Sequence, residues 1–128
     1  GWARRWGGLM RSEDISLGVR EVTPEIIDVI RQRIVDAIRP RQIVLFGSQA
    51  RRDAGYGSDV DLLIVHDTAR PDREVRRYLD RLFLDRRFGL DLIVRTPREV
   101  AQNIADGNPF YTEHIFGEGI VLYEREES

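Results

Sequence analysis

The sequence predicts a single α/β domain, and three observations predict it. Isoleucines recur at helical spacing near the start of the body, short β-branched apolar runs alternate with helical stretches, and helix starts are marked by Thr-Pro pairs. With 128 residues, 41% of them hydrophobic, the chain has enough apolar surface for one core and not for two.

The elements follow in order. Gly1 to Glu21 has scattered glycines and tryptophans and no sustained period, so residues 1–21 read as a flexible extension and 22–128 as the domain. Thr23 supplies an N-cap with Pro24 at the first helical position. Ile26, Ile27, Ile30, Ile34 and Ile38 then form one stripe, predicting a helix that Pro40 stops. Ile43-Val44-Leu45-Phe46 predicts a buried strand ending at Gly47-Ser48, and Val60 to Val65 a second one. Between them stand a short helix around Gln49 to Arg52 and a glycine-rich loop at Gly55-Tyr56-Gly57, expected to be mobile. Val75, Leu79, Leu82 and Phe83 predict a helix from Asp72 to Arg87, ended by Gly89. Leu90 to Val94 is a third strand. Thr96-Pro97-Arg98-Glu99 is a capping box that starts a helix running up to Gly107, and Gly119 to Tyr123 is a last edge strand. The order is α, β, α, β, α, β, α, then the edge strand.

Composition excludes several classes of function. No apolar run approaches the roughly 18–20 residues of a membrane-spanning helix, and no cysteine is present for disulfides or thiolate metal sites. Nothing near the start resembles the apolar core of a signal peptide, so a cytoplasmic location is expected. Acids outnumber bases 22 to 20, which argues against a nonspecific nucleic-acid binder. The charges are nevertheless segregated. Nine arginines fall between Arg70 and Arg98 against five acids, while the tail from Glu113 holds five glutamates against Arg125. That asymmetry favours a partner surface, and the arginine-rich segment, punctuated by Glu74, Asp80 and Asp85, reads as a solvated helix or a protein interface rather than a nucleic-acid site. Every basic residue is arginine, so lysine chemistry is excluded and any cationic phosphate contact must be a guanidinium.

Asp59 and Asp61 stand two apart at the second strand, so both carboxylates point to one face while Val60, Leu62 and Ile64 point to the other. Side-by-side carboxylates repel unless a cation or a shared proton neutralises them. Asp91, between Leu90 and Leu92, repeats the pattern in the third strand. Three such oxygens suit Mg²⁺, which prefers octahedral oxygen ligands. Gly47-Ser48, at a strand-to-helix junction, offers backbone N–H groups and a hydroxyl to phosphate. His66 and His114 are too far apart to form a local metal motif and read as incidental. Phe110, Tyr111, Phe116 and Tyr123 read as core packing.

Gly47-Ser48-Gln49-Ala50-Arg51 followed by Ser58-Asp59-Val60-Asp61-Leu62-Leu63-Ile64-Val65 resembles the signature of the DNA-polymerase-β-like nucleotidyltransferase superfamily, above all its minimal nucleotidyltransferase (MNT) group. The resemblance implies a mixed β-sheet flanked by helices and transfer of a nucleoside monophosphate from an NTP. It implies two Mg²⁺ ions held by Asp59, Asp61 and Asp91, with ATP as donor. Asp91 then acts as metal ligand, as base toward the acceptor hydroxyl, or as both. Gly47 and Ser48 approach the β- and γ-phosphates, Arg51 reaches a phosphate or ties down the loop, and Ser58 caps the loop or bonds a ligand carboxylate. The family often has glycine where this chain has Arg52, with Gly55 and Gly57 only later.

The resemblance further implies an MNT antitoxin that AMPylates and neutralises a HEPN-domain ribonuclease toxin. Two alternatives stay open: nucleotidyl transfer to a small molecule such as an aminoglycoside, with a homo-oligomer supplying the acceptor wall, and a non-enzymatic antitoxin that binds the toxin.

Overall fold

The computed structural model describes residues 16–52 and 59–126. Helix α1 (Pro24–Ile38) starts where the sequence predicts, with Thr23 Oγ1 accepting from the Ile26 N–H at 3.2 Å. It ends at Arg39, which turns into the left-handed region (φ 45°) ahead of Pro40. Strand β1 (Gln42–Phe46) leads into the four-residue helix α2 (Ser48–Arg51), one residue earlier than the sequence suggests. Strand β2 (Val60–Val65) begins just after Asp59, so Asp59 flanks the strand rather than lying in it. The Gly55-Tyr56-Gly57 loop lies outside the described residues.

Helix α3 (Asp72–Arg81) is shorter than the predicted Asp72–Arg87. After Leu79 the chain tightens: the N–H groups of Leu82, Phe83 and Arg86 each donate to the carbonyl three residues back. This turn keeps Phe83 in the core and leaves Leu84 79% exposed, so the predicted stripe is buried although the helix itself stops at Arg81. Strand β3 (Leu90–Arg95) is followed by helix α4 (Pro97–Ala105), whose capping box joins Thr96 and Glu99 as predicted. A π-helical segment that the apolar pattern does not predict, α5 (Phe110–Ile115), precedes strand β4 (Ile120–Glu124).

The sheet is mixed and flanked by helices, with strand order β3-β2-β1-β4. β1 is antiparallel to both β2 and β4, whereas β2 and β3 are parallel. Alternation along the strands divides the core in two. Ile43, Leu45, Val60, Leu62, Ile64, Leu92 and Val94 face α1 and α3. Val44, Phe46, Leu63 and Val65 face Val100 of α4 and Tyr111 and Ile115 of α5. Leu17, from the N-terminal extension, is fully buried with the first group, and its carbonyl accepts from the Arg87 N–H at 3.2 Å.

His66 is fully buried at the far end of β2. Its Nδ1 accepts from the Thr68 N–H (3.3 Å), which leaves Nε2–H to donate to Asp72 Oδ1 at 2.7 Å. Burial first, and then the neighbouring Glu99, push the Asp72 carboxyl above its ordinary value, and Glu99 caps α4. The imidazole thus ties the start of α3 to the end of the sheet. A buried polar group needs such partners, and the Thr68 and Asp72 spacing does not reveal them in the sequence.

Arg52 occupies the position where the family favours glycine, and it adopts φ 60°, the left-handed conformation in which glycine is unstrained. That conformation strains an L-residue by roughly 1–2 kcal/mol. Arg52→Gly is therefore expected to stabilise the protein by about 0.5–1 kcal/mol after the greater freedom of glycine in the unfolded chain is counted, read as a higher urea midpoint.

Candidate active site

The site forms where β1 ends and β2 begins. Asp61 pairs across the sheet with Phe46 on one side and with Asp91 on the other. Side chains of directly paired residues share a face, so both aspartates open toward the α4/α5 side of the sheet. The core alternation decides this placement, because Leu62 and Leu92 take the opposite face. Asp59 lies just before the strand, exposed, as is Asp91; Asp61 is half-buried.

The electrostatics reflect this crowding. Burial first, then the charges of Asp91 and Asp59, push the Asp61 carboxyl above its ordinary value, against the pull of His114 and Arg51. Asp61 thus feels the negative charge of both other aspartates. Among the described residues, however, no three His, Asp or Glu side chains converge on one point as a metal site. The donor set consists of hard oxygens, as Mg²⁺ or Mn²⁺ requires, and the mutual repulsion is of the kind that a divalent cation relieves.

Two glycines hold backbone against these acids. Gly47, at φ 75°, caps α2 and accepts from the N–H groups of Ala50 (3.1 Å) and Arg51 (3.2 Å). A Cβ there would lie 2.4 Å from Asp61 Oδ2, so the loop backbone presses directly on the carboxylate. The Ser48 hydroxyl, beside it, makes no hydrogen bond to any described residue. Gly89 plays the matching part for Asp59. Its carbonyl accepts from the Val60 N–H at 2.9 Å, and a Cβ would lie 2.0 Å from Asp59 Oδ1. In the sequence Gly89 reads only as the end of a helix. The parallel register, Val60 opposite Leu90, is what sets it against Asp59. Gly89→Ala is expected to push the Asp59 side chain aside and weaken divalent-metal affinity about 10–100-fold, as loss of a supporting contact does at metal sites. Titration calorimetry with Mn²⁺ checks it.

Arg51 and His114 close one flank. Arg51 Nη1 lies 3.4 Å from Glu118 Oε2, and His114 Nδ1 lies 4.0 Å from the same oxygen. The His114 ring packs edge-on against Phe46 (5.4 Å between centroids) and tilted against Phe110 (5.4 Å). His114, read as incidental in the sequence, is thus part of the site, and Phe110 is 38% exposed rather than core. The π-helical turn brings both to Phe46. A spacing of four between Phe110 and His114 is the only sequence signal for it. Ser58 lies outside the described residues.

The family described as "Polymerase beta, Nucleotidyltransferase" matches residues 25–128. The chain belongs to this nucleotidyltransferase family. Gly47, Ser48, Asp59, Asp61 and Asp91 all fall within the matched range. A crystal structure from Sulfolobus solfataricus, provisionally named a nucleotidyltransferase, is similar at 21% identity with a TM-score of 0.55, covering 95% of this chain and 96% of that one. It shares the fold. A toxin–antitoxin structure with AMP-PNP is more distant, at 15% identity and a TM-score of 0.43, covering 76% of this chain and 73% of that one. That likeness is too loose to bear on this chain. No curated protein matches it. Among the described residues no helix is long and apolar enough to cross a membrane.

Proposed function

We propose that this nucleotidyltransferase transfers AMP from ATP to a hydroxyl of a protein, as the MNT antitoxin that AMPylates and silences a HEPN ribonuclease toxin in the cytoplasm. The observation that carries the chemistry is the contact of the Gly47 backbone with Asp61, itself in register with Asp91. It supports a reading in which a loop able to approach phosphate stands beside a repelling pair of carboxylates. The protein acceptor rests on the Gly47-to-Val65 signature of the MNT group, and the exposure of Asp59 and Asp91 supports it. A hydroxyl on another protein's surface can reach them without entering a pocket.

Asp59, Asp61 and Asp91 would hold the divalent metal. When bound, the metal neutralises triphosphate charge and lowers the pKa of the acceptor hydroxyl. Gly47 lets the backbone approach the β- and γ-phosphates, and Ser48 donates its hydroxyl to them. Arg51, held toward Glu118, adds positive charge on the same flank. The acceptor oxygen bonds to the α-phosphorus while the bond to the β-bridging oxygen breaks, and pyrophosphate leaves. Asp91 orients the acceptor hydroxyl or takes its proton.

The test incubates the protein with ATP labelled at the α-phosphate, Mg²⁺ and lysate of the source cells, beside an Asp59→Asn/Asp61→Asn variant. Label on a discrete protein, absent with the variant, is expected. Label confined to a small metabolite would favour an aminoglycoside-type acceptor instead. No transfer would favour an antitoxin that acts by binding alone, and equal labelling by the variant would overturn the site assignment.

A further inference from the structure

Helix α3 has a surface that the catalytic chemistry leaves unused. Arg73, Arg77 and Arg81 are exposed and recur every fourth residue, so they rise by ~6 Å per step along the helix. None of the three has an ion-pair partner among the described residues. Their neighbours Arg70 and Arg76 are held by Glu74 (3.5 Å) and Asp80 (3.8 Å). Beside this stripe, between α3 and the C-terminal end of α1, runs a groove of about 720 Å³. Arg77 and Arg81 stand on its rim, Ala37, Ile38 and Val75 line it with apolar surface, and Tyr78 is 46% exposed along it.

We propose that this groove docks an amphipathic helix of a protein partner that has acidic residues along one edge. Unpaired guanidiniums on an exposed helix call for anions, and i,i+4 spacing matches carboxylates one turn apart on a facing helix. Apolar lining and a half-exposed tyrosine suit aliphatic side chains pressed in from above. The basic surface is also confined. The chain as a whole has a net charge of −2, with glutamates gathered in its tail, so a long polyanion such as RNA meets repulsion once it leaves the groove. A helix of about three turns matches the ten residues of α3.

The groove lies on the α1/α3 side of the sheet, and the acids open on the other side. Docking is therefore separable from nucleotide chemistry, and the proposal stands whether or not the chain transfers AMP.

The experiment uses the full chain and a fluorescein-labelled helical peptide of about 18 residues with leucines on one face and glutamates along one edge. A matched peptide with lysines in place of glutamates and a short oligo(A) RNA are the comparisons. Fluorescence anisotropy is expected to show salt-sensitive binding of the glutamate peptide alone. Arg77→Glu/Arg81→Glu should weaken it at least about ten-fold, and Tyr78→Ala several-fold, while the thermal midpoint and ATP binding stay unchanged. Because all three residues are exposed, the milder Arg77→Gln/Arg81→Gln pair serves if the reversal fails to fold, with the same loss expected in smaller measure. Equal binding of the lysine peptide, tighter binding of the RNA, or full affinity in the folded arginine variants would overturn the proposal.

Discussion

Asp61→Asn is expected to give a metal-free protein that is slightly more stable than the wild type and catalytically dead. Burial and the charges of Asp91 and Asp59 all disfavour the Asp61 carboxylate. Its pKa is higher in the folded chain than in the unfolded one, so the ionised group lowers stability at neutral pH. Asparagine keeps the shape and removes the charge. Half-exposure and solvent screening limit the gain to a rise of roughly 2 °C in the thermal midpoint without metal. Transfer should fall by on the order of 10³-fold, because a carboxylate that would hold the divalent metal against the triphosphate has gone. Scanning calorimetry in EDTA and in Mg²⁺ separates the two effects. Wild type should gain stability from Mg²⁺ by mass action, and the variant should gain little. A variant less stable than wild type in EDTA would contradict the electrostatic account.

Gly47→Ala should be the most damaging single change to nucleotide binding. The residue sits at φ 75°, where a side chain is strained, and its Cβ would meet Asp61 Oδ2 at 2.4 Å. Strain of this type costs about 1–3 kcal/mol. The larger loss comes from geometry. The alanine methyl drives Asp61 away from the loop, and with it the shared surface for phosphate and metal. We expect Mg²⁺–ATP affinity to drop by about 100-fold, or about 2.7 kcal/mol, measured by equilibrium dialysis, with a lower urea midpoint alongside. Unchanged affinity would mean that phosphates do not approach Gly47.

Much of this architecture is legible in the sequence because local signals agree with tertiary packing. Thr23-Pro24 and Thr96-Pro97-Arg98-Glu99 fix two helix starts within a residue. The alternation around Asp61 and Asp91 assigns both carboxylates to one face. The misreadings arise where tertiary contacts override periodicity. The stripe through Val75, Leu79, Leu82 and Phe83 looks like one long helix, and all four do pack on the core, but a tight turn of three-residue hydrogen bonds at Leu82, Phe83 and Arg86 ends the helix at Arg81. Gly89 looks like punctuation, yet its lack of a side chain makes room for Asp59 just ahead of the neighbouring strand. His66 and His114 look alike on paper. One is buried between Thr68 and Asp72, and the other stacks on Phe46 beside the acids. Each difference depends on a partner distant in the chain or on a local turn that the pattern of apolar residues does not record.

The parallel pairing of β2 with β3 also works as a ruler. Asp61 faces Asp91 only while Leu62 meets Leu92 and Ile64 meets Val94. A slip of one residue would turn Asp91 into the α1/α3 core and swing Leu92 and Val94 out of it. Several buried aliphatic side chains would lose their packing to move a single carboxylate. Greasy residues that touch no substrate thus act as the alignment jig of the site. Selection for a well-filled core would preserve the spacing of the acids even in a descendant that had lost its chemistry.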